Sequence, residues 1–579
     1  MDKNAIAKML REIGVLLDLK GENRFKSLAY ANAARTLETL QEDFDVLVAQ
    51  GRLGELKGIG AELSKKIAEL HATGHLPYYE ELKASFPTGL LDCLRIPGLG
   101  PKKVKTLWER LQIDSLGDLK LACDRGVIAG LDGFGEKTQA KILEGIANLD
   151  KYRGQFLLLE AEAAAAPLLA ALRVCKAARR VEIAGSLRRR KEVVRDLDFV
   201  VATEAPNVVM DAFFAAPGAG KIVARGPTKA SLLLENGMQA DVRCVTPDEF
   251  PFALAYFTGS KEHNIAMRQR AIEQKLKLNE YGLFPLVEGK EKTLPCRDEA
   301  DLYRALGLAC VPPELREDLG EFAAAEKDAL PRLVRADDLR GVFHCHTTAS
   351  DGRNSLEEMA RAAIALGWEY LGIADHSKTS AIAHGLDAKR LARQGKEIAA
   401  LNRRLADEGI RFRVFAGSEV DILADGRLDF SDDVLAGLDF VVASIHQGFG
   451  SEEAKQTTRI LRALENPHVT MLGHATGRLL LGREPLRLDL TAILEAAAKK
   501  KVVIEFNTTP SRMELDWRWW RRARDLGVMC SINPDAHSTE QLRMALDGTA
   551  TASKGWLRPE DVLNTRSLAK VEKLLLRRR

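Results

Sequence analysis

The pattern of apolar and polar positions changes twice along the chain. Over residues 1 to about 150, short apolar segments with a helical repeat alternate with glycine turns, which predicts an almost entirely helical region. From about 155 to 315, an Ala-rich helical stretch at 160–172 gives way to strand-like runs, and Asn236-Gly237 between two such runs predicts a β-hairpin. From 339 onward, short apolar runs alternate with Ala/Leu/Arg-rich helical segments, which predicts a parallel sheet.

The C-terminal region contains seven such runs: GVFHCH, YLGIADH, FRVFAGSEVDI, DFVVASIH, HVTMLGH, VVIEFN and VMCSINPDAH. Seven strand–helix units predict a closed or nearly closed barrel. The polar, Ala-rich residues 316–338 that precede it are typical of a connector.

Length and composition narrow the class of protein. At 579 residues the chain is too long for one hydrophobic core, so several domains are expected. No apolar run approaches the roughly 18 residues of a membrane span, so no membrane association is predicted. The 8 cysteines are scattered without a C-x-x-C pair, which is typical of a reducing cytoplasm. Because the net charge is only +3, any binding of nucleic acid must depend on local basic clusters and backbone donors.

Histidine is distributed unevenly, since eight of the 11 histidines follow residue 340. Six of the seven predicted strands end in His, Asp or Glu, and the C-terminal ends of parallel strands converge on one rim. One histidine at a strand end is usually solvated, but chance explains six strands poorly. A mixed His and carboxylate set suits Zn, Mn or Fe. The candidates are His344, His346, Asp351, Asp375, His376, Glu419, His446, His474, Asp535 and His537.

These motifs are similar to a known family. HCHTTASDG, ADH, GSEVDI, SIHQG, GHATGR and DAH resemble the PHP (polymerase and histidinol phosphatase) superfamily over about 240 residues. The resemblance implies a distorted (βα)7 barrel with up to three ions, Mn²⁺ and/or Zn²⁺, held by the candidates above other than Asp375. It also implies hydrolysis of phosphate esters. Arg478 and Arg512 are candidates for pairing with a substrate phosphate, although exposed arginine is commoner.

A second acidic pattern lies in the middle region. In RRRKEVVRDLDFVVA, Asp196 and Asp198 flank Leu197, and alternate residues of a strand point to the same face. Asp241, in QADVRCV, is expected on a neighbouring strand. Three acids on adjacent strands can hold two divalent ions about 3.5–4 Å apart for in-line phosphoryl chemistry. A D-x-D pair alone is weak evidence, because many strands begin with two solvated acids.

The segment before these acids strengthens the prediction. Gly185-Ser186 closes a predicted strand and opens a segment that contains four basic residues, Arg188 to Lys191. Backbone N–H groups at a turn bind phosphate, and arginine neutralises it. A basic run alone is typical of a solvated face. Its closeness to the acid pair favours a role in substrate binding.

The order strand, Gly-Ser turn, helix and D-x-D resembles the nucleotidyltransferase superfamily. GSLRRRKEVVRDLD, DVR and YFTGSKEHNIAMR are further similar to the family X DNA polymerases, over roughly residues 1–315. The resemblance implies that Asp196, Asp198 and Asp241 bind two Mg²⁺ or Mn²⁺ ions, which activate the primer 3′-hydroxyl and stabilise the pyrophosphate leaving group of a dNTP.

The same resemblance implies a nucleotide-binding set. The triphosphate is assigned to Gly185, Ser186 and Arg189. The sugar is assigned to Tyr256 and Phe257, and the nascent pair and template to Asn264 and Arg268, with Gly259 in the same segment. Two positions depart from the family pattern: Arg195 stands where glycine is common, and Gln239 stands where arginine is often found. Without the acids, the aromatic residues of YFTGS would be interpreted as packing at a strand end.

Three glycine turns recur in the helical region, LKGIG, IPGLG and LDGFG, each followed by a Lys-containing helix start. A G-x-G turn exposes backbone N–H groups that bind a phosphate without selecting sequence. The turns resemble helix-hairpin-helix motifs, whereas a single copy would be interpreted as a simple helix link. The implied DNA-binding residues are Gly58, Gly60, Gly98, Gly100, Gly133 and Gly135.

The first turn also resembles the small 5′-phosphate-binding domain of the family, some members of which are deoxyribose-phosphate lyases. Lys66 falls at the position of the Schiff-base lysine, and Lys26 and Tyr30 match the 5′-phosphate pocket. Glu62 occupies a position that is often lysine, which argues against lyase activity. A lyase remains an option.

We therefore expect a multidomain protein with six parts. They are a lyase-like DNA-binding domain (1–85), a helix-hairpin-helix domain (86–154), an α+β nucleotidyltransferase-like palm (155–250), a small α/β nucleotide-selection subdomain (251–315), a linker (316–338) and a distorted (βα)7 PHP barrel (339–579).

The expected function is a cytoplasmic, monomeric DNA polymerase. It would fill short gaps in gapped or nicked DNA during base-excision repair or end joining, with dNTPs as substrates and a metal-dependent 3′–5′ exonuclease in the barrel. Two alternatives are a PHP phosphoesterase with a degenerate polymerase region and a non-catalytic DNA-binding scaffold.

Overall fold

A computed structural model describes residues 1, 3–38, 40, 42–286 and 292–576. The chain divides into two compact units, Met1–Arg153 and Gly154–Arg579. In the described ranges, no helix combines the length and the apolar character that crossing a membrane requires.

The first unit is helical, as its pattern predicts. Its helices bury one apolar face each in a shared core that includes Ile13, Leu37, Ile67 and Leu107. They are α1 (Lys3–Lys20), α2 (Arg24–Glu38), α3 (Phe44–Ala49), α4 (Ala61–Thr73), α5 (Pro77–Ala84), α6 (Thr88–Cys93), α7 (Pro101–Leu111), α8 (Leu116–Asp124) and α9 (Gly135–Lys151).

The palm is built on a five-stranded sheet in the order β2-β4-β7-β6-β5, in which only β4 and β7 run parallel to each other. Gly237 turns between β6 and β7 with φ +82°, so the predicted hairpin is confirmed. The elements are β1 (Phe156–Leu157), α10 (Leu158–Val174), β2 (Arg180–Ile183), α11 (Gly185–Arg188), β3 (Val193–Val194), β4 (Asp196–Ala202), α12 (Pro206–Phe214), β5 (Lys221–Arg225), β6 (Lys229–Leu233) and β7 (Gln239–Val245).

A small subdomain and a connecting segment follow the palm. Their elements are α13 (Phe250–Thr258), α14 (Lys261–Glu273), the hairpin β8 (Leu276–Asn279) and β9 (Gly282–Pro285), α15 (Glu299–Ala305) and α16 (Glu321–Glu326). The YFTGS segment ends helix α13, so the alternative of aromatic packing at a strand end is wrong. Residues 316–338 pack closely, because Arg316 and Glu321 are buried.

The barrel contains all seven predicted strands, and they are parallel in sequence order from β10 to β16. A bridge between Cys345 and Ala536 links the first strand to the segment after the last, which nearly closes the sheet. The strands are β10 (Gly341–Cys345), β11 (Tyr370–Ile373), β12 (Arg413–Asp421), β13 (Phe440–Ser444), β14 (Met471–Leu472), β15 (Val503–Asn507) and β16 (Cys530–Asn533).

The barrel interior is packed with side chains. Phe343, Tyr370, Phe415 and Phe440 form its aromatic core, so the functional groups are left at the C-terminal rim. The surrounding helices are α17 (Leu356–Ala365), α18 (Ala388–Asp407), α19 (Asp432–Leu435), α20 (Glu453–Leu464), α21 (Leu490–Lys500), α22 (Trp520–Asp525), α23 (Met544–Ser553) and α24 (Leu568–Leu576).

Candidate active sites in the barrel and the palm

The C-terminal rim of the barrel gathers imidazoles and carboxylates that are far apart in sequence. Their candidate ligand atoms form four groups, and within each group these atoms lie within 4.8 Å of one another. The groups are His346, Asp351, His376 and His537; His344, His346 and Asp535; His344, Glu419 and His474; and His376, Glu419 and His446. The structure therefore brings together all nine barrel ligands that the resemblance implies.

Glu419, at the end of β12, lies at the centre of this rim cluster and is 1% exposed. One of its oxygens, Oε1, is 2.8 Å from His474 Nε2 and 3.1 Å from His446 Nε2. The other, Oε2, is 2.9 Å from His376 Nδ1 and 3.3 Å from His344 Nε2. A carboxylate shared in this way is suited to bridge two cations.

The residues present fit divalent metal ions. Several buried ligand atoms of the rim cluster have no hydrogen-bond partner among the residues that the structure describes: His344 Nε2, His346 Nδ1 and Nε2, His376 Nδ1, Glu419 Oε2 and His474 Nδ1. Burying unpaired polar atoms is costly unless they are paired or coordinate a metal. The donor set of imidazole and carboxylate suits first-row transition ions.

Electrostatics in the rim cluster are dominated by its carboxylates. Burial would lower the pKa of His344, but the charges of Glu505, Glu419 and Asp535 outweigh it and raise that pKa well above its usual range. Burial would likewise lower the pKa of His446, yet Glu419 and Asp421 raise it to about 10. The site therefore attracts positive charge, either protons or metal cations.

A second layer of carboxylates orients the rim histidines. His344 Nδ1 is 2.7 Å from Glu505 Oε1, and His446 Nδ1 is 2.8 Å from Asp421 Oδ1. Such bonds fix the tautomer, so that Nε2 of each ring faces the cluster. The sequence analysis missed Glu505 and Asp421. The available signal was an acid inside the buried apolar runs VVIEFN and GSEVDI.

Asp375 has a structural role at the rim. Its carboxylate accepts hydrogen bonds from Thr347 N at 2.8 Å, from the hydroxyls of Thr347 and Ser350, and from Gln394. These bonds tie the loop after β10 to the end of β11. Asp375 is thus occupied by protein donors, unlike the neighbouring His376.

The two arginines proposed to pair with phosphate differ in their surroundings. Arg478 donates to the carbonyls of Arg512 and Met513 and to Asp516, so its guanidinium is part of the fold. Arg512 has 17% of its side chain exposed, and its Nε lies 3.9 Å from Asp535 Oδ2. Of the pair, Arg512 is the one placed at the edge of the rim cluster.

The palm brings its three acids to the start of two neighbouring parallel strands. Asp198 on β4 is directly opposite Asp241 on β7, and Asp196 lies two residues before Asp198 on the same face. Leu197 and Phe199 are buried on the other face. The structure thus produces the three-carboxylate arrangement that the sequence predicts.

The palm acids are not electrostatically equivalent. Burial, with the charges of Asp196 and Asp241, raises the pKa of Asp198 to about 7. Burial would also raise the pKa of Asp241, but hydrogen bonds from Lys229, Ser231 and Gln239 lower it. Lys229 Nζ is 2.6 Å from Asp241 Oδ2 and is a partner that sequence analysis missed. The signal that could have found it is the predicted hairpin at Asn236-Gly237, because that hairpin pairs β6 with β7 and brings Lys229 close to Asp241.

The Gly-Ser turn lies directly against these acids. Gly185 adopts φ +63°, and a Cβ on it would lie 2.2 Å from Asp198 Oδ2. Only glycine therefore allows the backbone of α11 to approach the carboxylate so closely. Ser186 is partly exposed on this turn.

Arg189 is 8% exposed, and its guanidinium makes hydrogen bonds to other groups of the protein. Nη1 donates to Thr258 O at 2.7 Å and to Gly259 O at 3.2 Å, while Nε is 3.0 Å from Glu317 Oε1. These bonds join the end of α11 to the end of α13. The structure therefore places Arg189 as a connection between the Gly-Ser turn and the YFTGS segment.

The residues assigned to the sugar and the template are neighbours at the end of α13 and on α14. Tyr256, Asn264 and Arg268 line one small cavity. Asn264 Nδ2 donates to Tyr256 O at 2.6 Å, which ties the two helices together. Phe257 packs edge-on against Tyr256, with ring centroids 5.2 Å apart, and Arg243 lies over its other side at 4.8 Å.

The three glycine turns of the first unit share the geometry of their first glycine, but the second glycine differs: Gly60 and Gly100 have φ values of −78° and −75°, whereas Gly135 has φ +66°. Their first glycines, Gly58, Gly98 and Gly133, have φ values of +88°, +85° and +84°. In each turn the central residue donates to the carbonyl three residues before it, at 3.0, 3.0 and 3.1 Å. A Cβ added at Gly60, Gly100 or Gly135 would meet no atom within 4 Å among the described residues. The turns are therefore open to a phosphate.

Lys66 lies in a small polar cluster on α4. Its Nζ donates to Tyr30 OH at 2.6 Å and to Glu62 Oε1 at 2.7 Å, and it lies 3.9 Å from the centroid of the Tyr78 ring. Burial would lower the pKa of Lys66, but the bonds to Glu62 and Tyr30 raise it. Lys26 lies 5.7 Å from the same Tyr78 ring, so the assigned phosphate-pocket residues are close together.

Comparisons with known proteins match this architecture. Family models match a helix-hairpin-helix domain at residues 1–76, a SAM-like helix-hairpin-helix tandem at 90–148, the DNA polymerase beta thumb at 253–317 and the PHP domain at 343–509. A DNA polymerase/3′-5′ exonuclease PolX of Bacillus subtilis (strain 168) is 38% identical over 592 residues, which cover 100% of both chains.

Two further relatives each match one part of the chain. A "Probable phosphatase" of Caldicellulosiruptor bescii is 29% identical over 203 residues, 34% of this chain and 78% of its own. DNA polymerase lambda of Rattus norvegicus is 24% identical over 344 residues, 54% of this chain and 56% of its own.

The chain combines helix-hairpin-helix domains, a nucleotidyltransferase-like palm and a PHP barrel. This combination defines a polymerase joined to a phosphoesterase. The chain belongs to the PolX family of DNA polymerase/3′-5′ exonucleases, the family X polymerases with a C-terminal PHP domain. The resemblances to the PHP superfamily and to the family X DNA polymerases are thereby confirmed.

Proposed function

We propose that the two activities of this family lie in two separate sites of the chain. Nucleotide addition is assigned to the palm around Asp196, Asp198 and Asp241, and removal of 3′ nucleotides to the rim cluster of the barrel. The observation that carries this proposal is that each site gathers potential metal ligands from separate strands: three carboxylates in the palm, and largely buried imidazoles and carboxylates in the barrel. Such groups are stable together chiefly when they bind cations.

In the palm, Asp196, Asp198 and Asp241 would hold two divalent ions, Mg²⁺ or Mn²⁺. Ions held there would supply activation of the primer 3′-hydroxyl and stabilisation of the charge on the leaving pyrophosphate. The turn at Gly185 and Ser186 presents backbone N–H groups beside the acids, where a dNTP triphosphate would lie.

The segment at the end of α13 and the start of α14 completes the nucleotide site of the palm. Tyr256 and Phe257 would pack on the sugar, and Asn264 and Arg268 would contact the nascent pair and template. Gly259 keeps this segment narrow, since a Cβ on it would lie 2.6 Å from Asn264 Oδ1.

In the barrel, the nine rim residues would hold up to three ions, Mn²⁺ and/or Zn²⁺. Ions held there would supply a nucleophile from water at neutral pH and would polarise the phosphodiester. Glu505 and Asp421 orient the histidines, and Arg512 is placed to meet a phosphate at the edge of the site.

We further propose that the protein acts as a monomer on gapped or nicked DNA and fills short gaps in repair. The three open glycine turns support contacts to the DNA backbone without sequence selection. Binding of this kind depends strongly on salt, because phosphate contacts release counterions.

One gel experiment distinguishes the activities of the two sites. Pure protein is incubated with labelled DNA containing a one-nucleotide gap and Mn²⁺, with and without dNTPs. Asp198→Ala should abolish extension and keep 3′ shortening, while His344→Ala should do the reverse. Asp211→Ala, an exposed acid of the palm, and His468→Ala, a barrel histidine outside the rim cluster, are the matched controls.

The outcome also decides between the alternatives. Loss of both activities in either single variant would contradict two separate sites. Absence of extension by the wild type would favour a phosphoesterase with a degenerate polymerase region. A protein that purifies without stoichiometric Mn or Zn, and that is unchanged by His344→Ala, would favour a binding scaffold.

A further inference from the structure

Lys554, which follows helix α23 of the barrel, makes a buried contact between the barrel and the polymerase part of the chain. Its side chain is 0% exposed. Nζ donates to Arg189 O at 2.9 Å, to Glu314 O at 3.1 Å and to Glu317 Oε1 at 2.8 Å. An ammonium group has three N–H donors, so all three are used, and none of the acceptors belongs to the barrel.

Glu317 extends this contact towards the nucleotide site. The same Oε1 atom that accepts from Lys554 also lies 3.0 Å from Nε of Arg189. Arg189 in turn donates to the carbonyls of Thr258 and Gly259, at 2.7 and 3.2 Å. Lys554 therefore holds both the main chain of Arg189 and the carboxylate that orients its guanidinium.

A parallel contact supports the segment between Arg189 and the acid pair. Trp517 Nε1 donates to Glu192 Oε2 at 2.9 Å, and Arg518 Nη1 lies 3.2 Å from Glu192 Oε1. Lys554 Nζ lies 4.6 Å from the centroid of the Trp517 ring, which joins the two contacts. Glu192 is four residues before Asp196 in the chain.

We propose that the barrel positions the dNTP site of the palm, through Lys554 acting on Glu317 and Arg189. The inference rests on the proposed function, because it concerns the same nucleotide site. Lys554 is a positioning residue, because its three acceptors, on Arg189, Glu314 and Glu317, are neither palm acids nor rim ligands. Without its charge, two buried carbonyls and one oxygen of Glu317 lose a donor, and Arg189 loses the fixed partner that holds it against Thr258 and Gly259.

The test is steady-state gap filling by the full chain, with KM for the dNTP and kcat measured separately. Lys554→Met removes the ammonium and keeps most of the side-chain length. We expect KM for the dNTP to rise about tenfold, as for substitutions in a coupling network, while the rate of 3′ shortening stays within about twofold of the wild type. Lys573→Met, an exposed lysine on α24 of the same barrel, is the matched control and should change neither.

The rise in KM for the dNTP that Lys554→Met causes should also depend on Glu317. If Lys554 acts through it, the double variant Lys554→Met with Glu317→Gln should raise KM by less than the product of the two single effects. Should Lys554→Met also lose 3′ shortening, Trp517→Phe is the second variant, since it keeps an aromatic side chain and removes the indole N–H that donates to Glu192. A rise of about threefold in KM is expected there.

Two results would overturn the inference. The first is an unchanged KM for the dNTP in Lys554→Met, when this variant retains 3′ shortening. This result would contradict the link between the barrel and the nucleotide site and leave the proposed function intact. Additive effects of Lys554→Met and Glu317→Gln would show that the two residues act independently. Absence of extension by the wild type would overturn the proposed function, and this inference with it.

Discussion

His344 donates its Nδ1 proton to Glu505, whose Oε1 lies 2.7 Å away, and this bond turns His344 Nε2 towards Glu419 and Asp535. Glu505 also accepts from the backbone N–H of His474 at 2.7 Å. One carboxylate therefore orients two of the rim histidines. Because both it and His344 are fully buried, solvent cannot replace the bond.

Glu505→Gln should therefore weaken metal binding by the barrel. An amide is a poorer acceptor for the Nδ1 proton, and loss of such outer partners typically costs about 10–100-fold in metal affinity. The measurement is the amount of Mn or Zn retained per chain during titration with a chelator. Glu495→Gln, on the exposed side of α21, is the matched control and should retain metal as the wild type does. Equal retention by both variants would contradict the role given to Glu505.

Gly185→Ala should abolish DNA synthesis and keep 3′ shortening. The added Cβ would lie 2.2 Å from Asp198 Oδ2, and the residue would have to keep φ +63°. Either the carboxylate or the turn must move, and a displacement of about 1 Å in such a site costs about 100-fold in rate. Primer extension and 3′ shortening are measured on one substrate.

Gly218→Ala is the control for Gly185→Ala. Gly218 also has a positive φ, of +78°, but a Cβ there meets nothing within 4 Å among the described residues. It should cost stability through backbone strain and leave the rate of extension nearly unchanged. Equal loss of extension in both variants would show that strain, and not contact with Asp198, is responsible.

The polymerase part should lose stability at acidic pH, because the buried carboxylate of Glu299 stabilises it only while ionised. Burial would raise the pKa of Glu299, but Arg316 and Arg188 lower it from 4.5 to about 2. The lowered pKa means that the stabilisation is fully present above pH 4.5 and is lost as the pH falls towards 2. The shift corresponds to about 3 kcal/mol.

Glu299→Gln should accordingly lower the free energy of unfolding at pH 7 by about 3 kcal/mol, since Arg316 is 1% exposed and would lose its counter-charge. Urea unfolding is followed at several pH values between 7 and 3. The difference between wild type and variant should shrink in acid. Glu262→Gln, at an exposed glutamate of α14, should show no such trend, and a constant difference for Glu299→Gln would contradict the assignment.

The sequence predicted the acids at the start of the palm strands and the histidines at the C-terminal ends of the barrel strands, and it missed residues that orient these groups from other strands. Asp198 and Asp241 were predictable because a period of two places side chains on one face. The rim histidines were predictable because parallel strands end on one side of a barrel. Glu505 was missed because its partners, His344 and His474, are distant in sequence. Lys229 was missed although the predicted hairpin pairs β6 with β7.

The connecting segment shows the same limit. Residues 316–338 are polar and Ala-rich, which is typical of an exposed linker, yet Arg316 and Glu321 are buried in ion pairs with Glu299 and His263. Polarity predicts exposure only when a side chain has no partner of opposite charge. Here the partners lie on α14 and α15, so the segment packs between domains.

The last prediction concerns Lys66 and the lyase option. Attack on a sugar aldehyde requires a neutral amine, but the bonds to Glu62 and Tyr30 raise the pKa of Lys66 above 10.5 and keep it charged at neutral pH. Borohydride trapping on DNA with a 5′-deoxyribose phosphate at pH 7.5 should therefore give the same low amount of adduct with the wild type and with Lys66→Ala. Lys65→Ala, at the exposed neighbouring lysine, is the control and should give this amount as well. An adduct that depends on Lys66 would contradict this. Lys66→Ala should instead weaken binding of the 5′-phosphate end, because a protonated lysine beside Tyr30 is suited to hold an anion.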